Sequence, residues 1–132
     1  MRTKRLGAAA VAAIIAAGFC AGALARPNKA EETLSKYEKT GETVSCLSLS
    51  SVRDTDVIDD YSMLIKANGE MYLNEMNGRC IGLGRERRYT HNSSLGKMCR
   101  GDIIQVIDSF GAHSGSCSLG DFEKLTEIPE TE

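Results

Sequence analysis

The sequence has few of the aromatic side chains that stack on sugars and nucleic acid bases. It contains no tryptophan, three phenylalanines and four tyrosines among 132 residues. Aromatic rings are the usual stacking platforms in single-stranded nucleic acid sites, and nucleic-acid-binding domains are usually basic. The formal net charge here is −2. The composition therefore argues against a nucleic-acid-binding protein and against a sugar-stacking site.

The common catalytic signatures are missing as well. His91 and His113 are the only histidines, and no G-x-S-x-G sequence accompanies them. The chain has no C-x-x-C pair of the kind that thiol–disulfide enzymes use. Asp59 and Asp60 could form a general acid–base pair, but no nucleophile or metal ligand lies nearby in the sequence. We therefore assign no catalytic residue, metal or cofactor, and favour a protein that is not an enzyme.

Residues 1–25 have the three parts of an export signal. Basic MRTKR precedes the apolar run LGAAAVAAIIAAGF, and Ala23-Leu24-Ala25 is an A-x-A cleavage sequence. The run is short for a membrane span. Phe19 before Cys20 argues against a lipoprotein signal, because a small residue usually precedes the lipidated cysteine. We expect a periplasmic or secreted mature chain that starts at Arg26 and has no membrane span.

Four cysteines remain after this cleavage: Cys46, Cys80, Cys99 and Cys117. An even set in an exported chain predicts two disulfides. The spacings lack the close pairs of structural zinc sites. Three pairings are open. Turn-like sequences before Cys80 and Cys99 favour a bridge between them, which leaves Cys46–Cys117 to tie the first strand to the last loop. Each bridge would contribute about 3–4 kcal/mol.

A β-hairpin is the clearest local element, in YSMLIKANGEMYLNEM, residues 61–76. Asn68-Gly69 suits a type I′ turn, which needs positive φ at both central residues. Counting outward places Ala67 opposite Glu70. Because side chains alternate, one face holds Tyr61, Met63, Ile65, Tyr72, Asn74 and Met76, and we assign it to the core. The other face is mixed and is half covered by loops or faces a partner; it holds Ser62, Leu64, Lys66, Met71, Leu73 and Glu75.

The flanking segments give weaker signals. Residues 26–43 form a linker or a short helix that is capped by Asn28, with Glu31 three residues on, and ends near Gly41. Residues 44–125 form the β domain, and residues 126–132 a disordered acidic tail. Within the domain, Asp102–Asp108 (DIIQVID) predicts a central strand covered on both faces. The acids Asp54, Asp56, Asp59 and Asp60 lack the EF-hand pattern and predict a solvated turn.

The stretch RERRYTHN is the main candidate for ligand binding. As an alternating strand it would place Arg85, Arg87, Tyr89 and His91 on one face. Arginines beside an aromatic ring can form a patch for anions or polar ligands. The alternative is a solvated edge strand whose charges prevent aggregation. The Asn92-Ser93-Ser94 sequon would matter only in a eukaryotic source.

Five or six short antiparallel strands and at most one short helix predict a small all-β domain. We favour a closed or partly open barrel over a two-sheet sandwich. The second functional hypothesis follows from this fold: a small ligand-binding or hydrolytic barrel that uses the Arg85, Arg87, Tyr89 and His91 face.

One ordered set of segments is similar to a known family. From Cys46 to Glu123, the segments CL, VIDDYSMLI, NGEMYLNEMNGRCIGL, GKMCRGDIIQVID and SCSLGDFE resemble small exported proteobacterial proteins that share a domain of unknown function. The chain has Asn68-Gly69 where a Gly-rich pair is common and Ser118 where a glycine is expected. The resemblance implies a cell-envelope or secreted location and no activity. We expect a binding or structural module of the bacterial cell envelope that recognises a protein or envelope component. The expected contact patch is the mixed hairpin face with Leu64, Met71 and Leu73.

Overall fold

A computed structural model describes residues 26–131, so the predicted signal peptide, its cleavage site and Cys20 lie outside the described residues. Within this range the chain forms two short helices, a 3-10 helix at Leu49–Ser51 and ten strands. The helices are α1 (Lys29–Leu34) and α2 (Leu83–Glu86). The strands are β1 (Tyr37–Val44), β2 (Cys46–Ser48), β3 (Val52–Val57), β4 (Ser62–Ala67), β5 (Glu70–Glu75), β6 (Tyr89–His91), β7 (Lys97–Cys99), β8 (Ile103–Ile107), β9 (His113–Ser118) and β10 (Phe122–Glu127).

The strands form three antiparallel sheets, and the predicted all-β class is confirmed. The largest sheet has the order β1-β10-β5-β4-β3; a second has the order β6-β8-β9, and β2 pairs with β7. Within residues 26–131 the five-stranded sheet ends at β1 and β3, so it does not close into the barrel that we favoured. The strand count also exceeds five or six. Strand β1 lies in the predicted linker, β3 contains Asp54 and Asp56 of the predicted solvated turn, and β7 has only three residues.

The central hairpin has the predicted register. Ala67 pairs with Glu70, and the pairing continues without a break to Ser62 and Glu75. Asn68 and Gly69 both have positive φ, 55° and 75°, as a type I′ turn requires. A local turn rule was sufficient here because it fixes both the strand ends and the pairing.

The two faces of this hairpin are both covered. The predicted core face packs into the main core with Ile104, Val106 and Phe122, although Tyr61 at its end is 55% exposed. The mixed face packs against α1, where Ala30 joins a second cluster with Leu64 and Leu73. Both leucines are buried. The predicted contact patch on this face is therefore wrong, because the chain's own N-terminal helix occupies it.

The segment before the first cysteine is more ordered than a linker. Asn28 and Glu31 form the predicted capping box: Asn28 Oδ1 accepts a 3.0 Å hydrogen bond from Glu31 N, and Glu31 Oε2 accepts one of 2.8 Å from Asn28 N. The helix ends at Leu34 rather than near Gly41, since Gly41 lies in an irregular part of β1, with a φ of 79°. Strand β1 pairs with β10, which continues to Glu127 and so includes the first two residues of the predicted tail.

Strand β8 is central in its sheet but covered on one face only. Ile104 and Val106 are fully buried, whereas Ile103 is exposed and Ile107 is half-buried. The expectation of a doubly covered strand is wrong, because the three-stranded sheet packs on the core with one face and leaves the other uncovered.

Candidate functional site

One disulfide lies within the β2–β7 sheet and the other joins the loop after β5 to β9, in a pairing that differs from the one we preferred. They join Cys46 to Cys99 and Cys80 to Cys117, in place of Cys46–Cys117 and Cys80–Cys99. Cys46 and Cys99 are direct partners across β2 and β7. The turn signals around Cys80 and Cys99 could not reveal the pairing of Cys46 with Cys99. These two residues are distant in sequence and become neighbours only when β2 pairs with β7. Two disulfides are typical of proteins in oxidising compartments.

The four predicted binding residues do not share a face. Arg85 lies in α2, and Arg87 ends that helix with a φ of 52°. Only Tyr89 and His91 lie in strand β6. The prediction of one alternating strand from Arg85 to His91 is wrong, because the left-handed residues Gly82 and Arg87 bracket a single helical turn.

Tyr89 and His91 lie on the core side of β6, opposite Val106 and Ile104. Burial raises the pKa of the Tyr89 hydroxyl. His91, whose side chain is 5% exposed, has its Nε2 2.9 Å from Asp102 Oδ2. That oxygen also accepts a 2.8 Å hydrogen bond from Cys99 N. Tyr89 and His91 are therefore internal supports of the fold, and the ligand-binding face of the second hypothesis does not exist as predicted.

Asp60 joins the β3–β4 turn to the loop that follows β5. Its Oδ1 accepts a 2.9 Å hydrogen bond from Gly84 N, and its Oδ2 accepts one of 3.0 Å from Arg79 Nε. The hydrogen bond from the Gly84 N–H lowers the pKa of the Asp60 carboxyl most, and the hydrogen bond from Arg79 lowers it further. A Cβ on Gly84 would lie 3.1 Å from the Asp59 and Asp60 backbone, so the close approach favours glycine at this position.

An open depression of about 580 Å³ lies above this junction. Its lining includes Asp59, Tyr61, Arg79 and Arg85. The fold thus brings Arg85 near Asp59 and Asp60 but leaves Arg87, Tyr89 and His91 out of the lining. The sequence reasoning missed Arg79. The sequence held no signal for Arg79, because it is brought to Asp60 by a contact between distant segments, in which Cys80 N donates a 2.7 Å hydrogen bond to Asp60 O.

A second candidate surface is the uncovered side of the sheet formed by β6, β8 and β9, here called the outer face. Ile103, the first residue of the central strand β8, is 55% exposed. Strand register places seven side chains on this face: Thr90, Ile103, Gln105, Ile107, His113, Ser116 and Ser118.

Phe110 lies at the tip of the β8–β9 hairpin, beside the end of the outer face, and is 95% exposed. The tip is well ordered. Asp108 Oδ1 accepts hydrogen bonds of 2.9 Å from both Phe110 N and Ala112 N, and Asp108 N donates one of 2.9 Å to Ala112 O. The loop therefore holds an apolar ring in solvent on a fixed backbone.

No protein-family model, curated protein or solved structure matches this chain. Between residues 26 and 131, no group of three or more His, Cys, Asp or Glu side chains is arranged to hold a metal ion. In the same range, neither helix has the length and apolar character needed to cross a membrane. Functional inference therefore rests on the two surfaces.

Proposed function

We propose that this chain is an exported, disulfide-stabilised β domain that binds another protein of the bacterial cell envelope through its outer face and Phe110, without catalysing a reaction. The signal-like residues 1–25 support export. The two disulfides are compatible with it.

The observation that carries the proposal is the exposure of large apolar side chains on a rigid support. Both faces of the central hairpin in the five-stranded sheet are covered. In contrast, Ile103 on the outer face and Phe110 at the β8–β9 tip are exposed to solvent. Burying such a side chain contributes roughly 1.5–3 kcal/mol, and a few well-placed anchors dominate most protein interfaces. The Cys80–Cys117 bridge fixes β9 from the core side, so the face is pre-organised for binding.

Irregular pairing makes strand addition at either edge of the five-stranded sheet unfavourable. Both edge strands of the large sheet have irregular pairing, between Lys39 and Thr43 in β1 and between Val52 and Asp54 in β3. Bulges and charges at an edge hinder pairing with a further strand. A partner should therefore be recognised by side chains of the outer face rather than by backbone hydrogen bonds.

The test is site-specific photo-crosslinking in the periplasm of a proteobacterium. A photoreactive amino acid at Gln105 should give a discrete crosslinked protein, and the same residue at Asn68, in the turn of the central hairpin, should not. The double variant Ile103→Ser, Phe110→Ser should remove the Gln105 crosslink, whereas Leu95→Ser, at an exposed residue in another loop, should keep it. Equal crosslinks at Gln105 and Asn68, or a Gln105 crosslink that survives the double substitution, would refute the proposal.

A further inference from the structure

The depression above Asp60 carries both free hydrogen-bond donors and a free acceptor, and it lies apart from the outer face. Arg79 and Arg85 are each held at Nε by a carboxylate: Arg79 by Asp60 at 3.0 Å and Arg85 by Glu86 at 2.7 Å. Within residues 26–131 the terminal amino groups of both guanidinium groups form no hydrogen bond. The two side chains are 59% and 77% exposed, so these donors face solvent at the depression.

Asp59 supplies the acceptor. Its Oδ1 accepts hydrogen bonds from Tyr61 N at 2.7 Å and from Ser62 Oγ at 3.0 Å. Its Oδ2 has no partner in the described part of the chain. The Asp59 side chain is therefore fixed by the turn through one oxygen and presents the other to the depression.

The lining is balanced in charge, with Asp59 and Asp60 against Arg79 and Arg85. A simple anion would be attracted by the arginines but repelled by Asp59. A simple cation would be attracted by Asp59 but repelled by the arginines. A ligand with a carboxylate and an ammonium group satisfies both, since a guanidinium binds carboxylate in a forked geometry. The half-exposed ring of Tyr61 can additionally contact the ammonium group or an apolar side chain.

We infer that this depression binds a zwitterionic amino acid or short peptide, with its carboxylate on Arg79 and Arg85 and its ammonium group on Asp59. The site is open to solvent, where charges are screened, so we expect a dissociation constant on the order of 1 mM for a dipeptide. The support beneath the site is rigid, because Asp60 fixes Arg79 and Gly84, and Cys80 is anchored by its disulfide.

The first test is a titration of the disulfide-bonded domain with alanylalanine. Binding is measured from the NMR chemical shifts of the Gly84 amide and the arginine Nε–H groups. Two capped peptides separate the charges: N-acetyl-alanylalanine keeps only the carboxylate, and alanylalanine amide keeps only the ammonium group. We expect saturable shifts with alanylalanine and at least about tenfold weaker binding of each capped peptide. Equal binding of a capped peptide would overturn the inference, as would the absence of shifts with all three. This series uses the unmodified domain and does not depend on a variant that folds.

The second test assigns the roles of the side chains. Arg85→Gln should weaken alanylalanine binding about tenfold, whereas Arg88→Gln, at a neighbouring exposed arginine outside the lining, should leave it unchanged. Asp59→Asn keeps an Oδ1 acceptor for the turn but removes the charge, so it should weaken alanylalanine binding while leaving N-acetyl-alanylalanine binding equal or stronger. Equal effects of the two arginine substitutions, or no effect of Asp59→Asn, would overturn the assignment.

Discussion

Asn74 and Gly120 exchange two hydrogen bonds inside the core. Asn74 Nδ2 donates to Gly120 O at 2.8 Å, and Gly120 N donates to Asn74 Oδ1 at 3.0 Å. Asn74 is fully buried and belongs to the core face of the central hairpin. Its carboxamide therefore acts like a short strand partner for the β9–β10 loop, and it satisfies backbone groups that could not reach water.

Replacing Asn74 with leucine should lower the free energy of unfolding by about 2–5 kcal/mol. The substitution leaves the Gly120 N–H and C=O buried without partners, and each unsatisfied group costs roughly 1–3 kcal/mol. Urea denaturation of the oxidised domain measures the effect. Asn92→Leu, at an exposed loop position, is the matched control and should change stability by no more than about 0.5 kcal/mol. Similar losses in both variants would contradict the structural role of Asn74.

Gly120→Ala should be strongly destabilising. A Cβ at this position would overlap the carbonyl oxygen of Glu75, and relief requires a shift of backbone rather than of a side chain. We expect a loss of about 3 kcal/mol, the upper end for overpacking in a core. Gly78→Ala is the control, because a Cβ there meets no atom within 4 Å and its φ is not positive. Thermal unfolding should give a clearly lower melting temperature for Gly120→Ala than for Gly78→Ala. Equal melting temperatures would contradict the prediction and show that the backbone of the β9–β10 loop can shift at little cost.

The sequence was informative where structure is decided by neighbouring residues. The type I′ turn at Asn68-Gly69 determined the register of β4 and β5, and the Asn28 capping box was recognised correctly. Contacts between distant segments were not readable. The packing of Ala30 on Leu64 depends on where α1 is placed by β1 and β10, and the partner of Cys46 depends on the pairing of β2 with β7.

In the candidate sites too, features set by neighbouring residues could be predicted, whereas contacts between distant segments could not. Asp59 and Asp60 lie in a turn as predicted, whereas Asp54 and Asp56 lie in strand β3. The neighbour of Asp60, Arg79, is supplied by a loop on the other side of the hairpin. An alternating pattern from Arg85 to His91 was misleading, because positive φ at Arg87 interrupts it. Asparagine, aspartate and glycine are the residues usually associated with that backbone conformation, so an arginine there did not indicate a break in the strand.

Mild reduction should open Cys46–Cys99 before Cys80–Cys117. Cys46 is exposed, whereas Cys80 is fully buried, and thiol–disulfide exchange requires access of the attacking thiolate to a sulfur. Timed treatment of the folded domain with dithiothreitol, alkylation and peptide mapping would show the order. Early alkylation of Cys80 and Cys117, or simultaneous alkylation of all four cysteines, would mean that reduction follows global unfolding instead.

Acid should weaken the fold partly through Asp102. The Cys99 N–H, and then His91, lower the pKa of this carboxyl in the folded chain. A lowered folded-state pKa contributes stability that is complete above the ordinary value of about 3.9 and is lost as pH falls through the folded value. Asp102→Asn should therefore cost about 2 kcal/mol at neutral pH and reduce the loss of stability below pH 4.

Denaturation curves measured between neutral pH and about pH 2 test this expectation. Asp121→Asn is the comparison, because Asp121 contacts Arg100 only in an exposed pair at 3.3 Å, and such pairs contribute about 0–1 kcal/mol. An Asp102→Asn variant with the same acid dependence as the unmodified domain would contradict the assignment. Asp60 contributes in the same direction, so some acid sensitivity should remain in Asp102→Asn.

The two disulfides interleave along the chain, since Cys80 lies inside the loop closed by Cys46 and Cys99, and Cys117 lies outside it. A chain that crosses a membrane from its N-terminus delivers Cys46 and then Cys80 to the oxidising side. Oxidation in order of arrival would join Cys46 to Cys80 and Cys99 to Cys117, and neither bridge is native. Under the proposed export, the chain therefore has to pair β2 with β7 before its thiols oxidise, or its first bridges have to be exchanged by an isomerase.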